Sequence, residues 1–379
     1  MTLVALAQSY VDAKWPTAAA NSRRSIVEAL ATACASFTTG GSDAPSIRQL
    51  RRVLIGNLLP PGGRGDDLAG ENREAVGWLL RRSRPVSDLT ELAAARELLD
   101  GLTRNLDGST AAATVVGRKR AVVHNMLVYA VERGVLASNP LPRVNWRRPK
   151  RVEQVDPRVV VNPTQARELL TAVSYVGVRN QDRGAHLVGF FATIYYSAAR
   201  PAEAVNVRAA DCKLPTNGWG ELILSESRPM AGKRWTDSGE THDRRGLKHR
   251  ATGDTRPVPI PPVLVHILRA HIDRFGLADD GRLFRSPRGG VVGSATYSRV
   301  WKQARELALI PAQVVSPLAA TPYSLRHAAV STWLNAGVPV AEVAVRAGHS
   351  VEVLTKVYAK CLYGQRELVN DRIAAVLGE

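Results

Sequence analysis

The stretch SNPLPRVNWRRPKRVEQVDPRVVVNP, residues 138–163, packs five prolines and the cations Arg143, Arg147, Arg148, Lys150 and Arg151 into one short span. Proline removes a backbone donor and clustered like charges resist burial, so no continuous helix or strand runs through it. A chain interrupted in this way folds as separate lobes, and 379 residues are enough for two or three domains. The expected division is a first lobe over 1–138, a basic linker over 139–162 and a second lobe over 163–379.

Charge narrows the class of partner. Lys and Arg outnumber Asp and Glu by 51 to 34, a net +17 with a pI near 10.3, which points to a polyanion and first of all to nucleic acid. Residues 1–150 carry 21 Lys and Arg against 13 Asp and Glu, a net +8, and the remainder 30 against 21, a net +9. A basic tail would have concentrated the excess, so both lobes are expected to face phosphate. An inert spacer has little need of five cations, and the linker cluster is expected to touch a DNA backbone. So is Arg118, Lys119 and Arg120 near the start of an expected helix.

Cys34, Cys212 and Cys361 lie far apart, a spacing that suggests neither a disulfide framework nor a zinc site, and no metal or cofactor is expected. The N-terminus lacks the basic and apolar regions of a secretory signal. The longest apolar run, 187–199, is too short to span a bilayer, so a cytoplasmic protein with no membrane partner is expected.

Helical periodicity in the first lobe predicts helices over 22–37, 46–58, 71–82, 87–101 and 110–134, with no strand pattern between them. Because helical signals begin by residue 22, no additional N-terminal domain is expected. In the second lobe Asn162 caps a helix that starts with Pro163, and a buried helix ends at YYSAARPAEAVNVR. GELILSES and TRPVPIPP read as short strands joined by a long polar connection, and helices resume at PVLVHILRAHIDRF. The fold class is mostly α with a small antiparallel sheet.

Within the second lobe SAARPAEAVNV contains Arg200 and Glu203, YSLRH contains Tyr323, Arg326 and His327, and Gly348-His349 precedes Tyr358 by nine residues. Each motif alone is weak. In this order and spacing the set resembles the tyrosine recombinases, or phage integrase family, over roughly residues 110–377. The resemblance implies a C-shaped, two-domain DNA clamp with a helical core-binding domain and a catalytic domain. It makes Arg200 and Arg326 the catalytic arginines, Glu203 the acidic companion, His349 a phosphate donor and Tyr358 the nucleophile. It also implies a lysine between two strands, for which Lys248 is preferred to Lys233. Further implications are a specific recombination site in double-stranded DNA, a homotetramer on two such sites, and a role in integration or excision of a mobile element. The sequence departs from the family at Tyr323, where a histidine is usual, which leaves the base open; the resemblance gives His327 a supporting role.

The chemistry fits these residue types. Breaking a phosphodiester through a pentacovalent transition state builds charge on two non-bridging oxygens, and planar guanidinium groups match them bidentately. A tyrosine, with an ordinary pKa of about 10, needs such surroundings to act as a nucleophile. The resulting phosphotyrosyl link conserves bond energy, so rejoining needs no ATP. No phosphate-binding GxxxxGK[ST] loop and no metal-spaced carboxylate pair occurs near the motifs. Two other readings share the residues: a type IB topoisomerase-like enzyme and a catalytically silent DNA-binding regulator. In the last segment Val369, Ile373 and Val376 or Leu377 fall on one helical face, which by the resemblance docks into a neighbouring subunit.

Overall fold

The computed structural model describes residues 1–64, 68–147, 149, 154–177, 182–248, 250–251, 253–361 and 365–377, without the side chains of 365–369 and 372. The chain forms two compact units, one of residues Met1–Val152 with Ala231–Thr241, the other of Glu153–Met230 with His242–Glu379. The fold is mostly α-helical with small antiparallel sheets.

The first unit contains α1 (Leu3–Lys14), α2 (Ala20–Ser36), α3 (Ile47–Val53), α4 (Gly70–Arg82), α5 (Leu92–Gly101) and α6 (Ala113–Glu132). The last five lie where periodicity predicts them, with α3 running on into a wider π turn over Leu54–Leu58. The first helix was not among the expected elements, yet Leu3, Leu6, Ala7, Tyr10 and Val11 recur at helical spacing and are all buried. Leu141 and Val144 pack in the same core, so the beginning of the expected linker belongs to this unit.

Residues 231–241, read from sequence as part of a polar connection in the second lobe, pack in the first unit. Trp235 is buried there with its ring 6.0 Å from that of Trp15. Arg23 is buried beside them and donates to the carbonyls of Trp15 and Trp235 (both 2.9 Å) and to both carboxylate oxygens of Asp237 (2.7 and 3.0 Å).

The second unit opens with α7 (Pro163–Ser174), whose expected cap is a full capping box: Asn162 Oδ1 accepts from the Gln165 amide (2.9 Å) and Gln165 Oε1 from the Asn162 amide (3.1 Å). The apolar α8 (Asp182–Ser197) is central and packs against α7, α10 (Pro262–Phe275) and α13 (Tyr323–Asn335). A short α9 (Pro201–Ala204) leads to β1 (Cys212–Lys213), β2 (Gly220–Leu224), β3 (Glu226–Ser227), β4 (Arg245–Gly246) and β5 (Arg256–Ile260). One antiparallel sheet has the order β1-β2-β5, with Leu222 opposite Val258, and β3 pairs with β4. After α10 come α11 (Ser294–Ala308), α12 (Pro311–Val314), α13, α14 (Val340–Ala347), α15 (Val351–Tyr358) and α16 (Gln365–Leu377).

Val155 joins a small core with Ala198, Val330, Leu354 and Tyr358, so the far end of the expected linker belongs to the second unit. On α16, Ile373, Val376 and Leu377 are exposed, while the side chain of Val369 lies outside the description. Among the described residues no helix is long and apolar enough to cross a membrane.

Candidate active site

The second unit brings the motif residues together at the ends of helices. Helix α8 stops at Ala198, a buried residue with φ of 50°, in the left-handed region that a residue with a Cβ rarely occupies. The break turns the chain so that the Ala198 carbonyl accepts from Arg326 Nη1 of α13. Two residues on, Arg200 leads into α9, and Glu203 folds back on it, accepting from its amide (2.8 Å) and its Nη1 (2.7 Å).

Helix α14 ends at Gly348, with φ of 63°, and the His349 amide bonds back to the Ala344 carbonyl (3.0 Å). A Cβ on Gly348 would collide with Arg256 Nη1, so glycine serves both the turn and the close approach. This turn presents the Gly348 carbonyl to Arg200 Nη2 (3.2 Å) and the Ala347 carbonyl to Arg326 Nη2 (2.6 Å). Ser350 caps α15 by accepting from the Val353 amide (3.2 Å), and Tyr358 is the last residue of that helix.

Arg326 Nη2 also lies 2.6 Å from His349 Nε2. A guanidinium has no lone pair to offer, so Nε2 accepts and the histidine proton is on Nδ1, a buried atom with no hydrogen-bond partner among the described residues. Burial first, then Arg326, Arg200 and Arg256, lowers the His349 pKa to about 3. The ring of His349 is 6.2 Å from that of Tyr358. Tyr358 Oη lies 2.9 Å from His327 Nδ1, and burial raises its pKa above the ordinary phenol value. The Tyr323 ring meets that of His327 edge-on at 5.0 Å.

One participant escaped the sequence analysis. Arg256, at the start of β5, is 1% exposed and donates to Glu203 Oε2 (2.7 Å). Burial alone would raise Glu203, but the guanidinium groups of Arg256, Arg200 and Arg326 outweigh it and hold the carboxyl at about 2. The signal was present in RPVPI, where Arg256 shares the inward phase of Val258 and Ile260. Three guanidinium groups thus surround one carboxylate, an unbalanced charge in a buried setting that suits an anionic ligand. Arg326 and Tyr358 are 0% and 1% exposed, so any ligand reaches them only by displacing what covers them.

Lys248 is exposed in the turn before β5, in the second unit, whereas Lys233 is exposed in the segment that packs in the first. Arg118 on α6, Arg143 and Arg147 are exposed, and Arg120 is half-buried. Lys119 does not join them as expected: it is 7% exposed and its pKa is lowered by burial and by Arg51 and Arg118. Three consecutive helical residues point about 100° apart, and Lys119 falls on the stripe of Val116, Val123 and Met126 that faces the core. Arg148, Lys150 and Arg151 lie outside the described residues.

No protein-family model matches the sequence, and no curated protein does either; the likeness is to solved structures. The chain resembles the Tn1549 transposon integrase in complex with transposon right end DNA (TM-score 0.56, 14% identity, covering 83% of this chain and 96% of that one). It also resembles lambda integrase bound to DNA (TM-score 0.55, 12% identity, 93% and 94%) and the XerH site-specific recombinase bound to its difH substrate (0.52, 11%, 93% and 94%). The fold is therefore that of the tyrosine recombinases and integrases.

Proposed function

We propose that this protein is a site-specific DNA recombinase or integrase that cleaves and rejoins strands through a 3′-phosphotyrosyl link to Tyr358, in the integration or excision of a mobile element. The observation that carries this reading is the meeting of Arg200, Arg326 and His349 beside Tyr358, in a buried site where cations outnumber carboxylates. The two arginines take the non-bridging oxygens of the scissile phosphate, and His349 donates from Nδ1. Lys248 protonates the leaving 5′ oxygen; its place in the same unit as the other residues supports it over Lys233.

On this reading residues 1–138 are a core-binding domain and 163–379 the catalytic domain. Arg118, Arg120, Arg143 and Arg147, with Arg148, Lys150 and Arg151, contact the phosphate backbone and position the protein without specifying sequence. The partner is cytoplasmic double-stranded DNA bearing a specific site, and a homotetramer joins two such sites. The exposed Ile373, Val376 and Leu377 of α16 supply the contact between neighbouring subunits.

The test is covalent capture. Incubating the full chain with a pool of nicked duplexes of randomised sequence, then digesting and weighing its peptides, yields a nucleotide-bearing Tyr358 peptide, and Tyr358→Phe abolishes it. The burial of Arg326 and Tyr358 favours a second reading, a silent DNA-binding regulator of the same fold. Enrichment of particular duplexes with no adduct selects the regulator, and an adduct that persists in Tyr358→Phe overturns the choice of nucleophile.

A further inference from the structure

Cleavage requires a group to take the Tyr358 proton, and the usual histidine position holds Tyr323, a phenol that rarely accepts a proton near neutrality. Among the described residues the charged or titratable groups facing Tyr358 are Arg326, Tyr323 and His327 of α13, Arg200 before α9, His349 after α14, and Cys361. The arginines have no lone pair to give. His349 Nε2 is engaged by Arg326, and the buried Cys361 thiol lies against the Val155 carbonyl. That leaves His327, whose Nδ1 is 2.9 Å from Tyr358 Oη and whose ring centre is 5.7 Å from the tyrosine ring. It sits one helical turn beyond Tyr323 on the same helix.

Resting on the assignment of Tyr358 as nucleophile, we infer that His327 is the catalytic base that takes the Tyr358 hydroxyl proton during cleavage and returns it on rejoining. The Tyr358 O–H bond breaks as its oxygen forms a bond to phosphorus, and the proton passes to His327 Nδ1. The P–O5′ bond breaks, and its electron pair stays on the 5′ oxygen, which takes a proton from Lys248. Before the reaction His327 carries its single proton on Nε2, leaving Nδ1 open to accept.

Burial and Arg326 keep the free-state ring neutral, with a pKa lowered to about 4. A phosphodiester lodged against Arg326 and Arg200 offsets their field and raises the proton affinity of His327 when it is needed. The base has thus moved one turn along α13 from the position the resemblance suggests, and the supporting role given to His327 from sequence becomes a chemical one.

The test uses the full chain and the same nicked-duplex pool. His327→Asn retains a hydrogen-bond acceptor near Nδ1 but not a base, and adduct formation by it and by His327→Ala is expected to slow by roughly 10²–10⁴-fold, with duplex retention little changed. Replacing Tyr358 with 3,5-difluorotyrosine, a phenol that gives up its proton more readily, is expected to recover about tenfold or more of that loss in His327→Asn. A His327→Asn rate within about threefold of wild type, or a loss that the fluorinated phenol does not recover, overturns the inference. Wild-type protein that forms no adduct at Tyr358 overturns the recombinase reading and this inference together, whereas equal adducts from wild type and His327→Asn overturn this inference alone.

Discussion

The two units bury charge in opposite ways. In the first, Arg23 lies in the interior, but its partner Asp237 is 82% exposed and two backbone carbonyls share its donors, so the pair is solvated from one side. In the second, Glu203 and Arg256 are each 1% exposed and Arg326 is fully buried, with cations in excess. A buried pair that balances its charge and keeps one foot in water is an ordinary structural device. A buried cluster with surplus charge is costly, and the cost makes sense where a ligand of opposite sign completes it.

The sharpest way to break this contrast is to remove the acid from the second unit. Glu203→Gln leaves Arg200 and Arg256 facing each other without a counter-charge and is expected to destabilise the protein by about 3–5 kcal/mol, read by urea denaturation. A loss below about 1 kcal/mol would mean that water already reaches the cluster.

Acid sharpens the comparison further. His327 and His349 hold folded-state values of about 4 and 3 against an ordinary 6.5, so below 6.5 the unfolded chain binds more protons than the folded one. The stability carried by these neutral rings is complete above pH 6.5 and declines as pH falls towards 4 and 3. Glu203, at about 2 against 4.5, extends the decline below 4.5. Melting temperature measured from pH 7.5 downwards should drop across this window, and His349→Gln should flatten the drop; an unchanged slope would remove His349 from the set.

The smallest effect belongs to the first unit. Asp237→Asn removes an exposed charge from an arginine that keeps two carbonyl partners, and the expected loss is within about 1 kcal/mol. If urea denaturation gives a loss equal to that of Glu203→Gln, exposure is not what separates the two pairs.

The residues that were legible in the sequence are those whose pattern is local. Asn162, Pro163 and Gln165 announce α7 because a capping box is complete within four residues. GELIL and RPVPI announce strands because their flanks and alternation are short-range signals. The motif residues were legible as a set by resemblance, but which atoms meet was not. The approach of Tyr358 to His327 joins residues 31 apart, and Arg256 and Glu203 are 53 apart. Lys119 and Arg256 were misplaced or missed by residue type, although helix phase for one and strand phase for the other placed both inward. Trp235 was the sole aromatic hint that a polar connection contains a packed segment.

The sealed tyrosine bears on how such a protein is safely kept in a cell. If Tyr358 is the nucleophile proposed above, a phenol reactive at all times would attach to any duplex it brushed against. Tyr358 is buried in a core with Leu354 and Val330, and burial raises its pKa, so the free hydroxyl keeps its proton. On the proposed reading the right duplex is then both the substrate and the key, and restraint comes from packing rather than from a separate inhibitor.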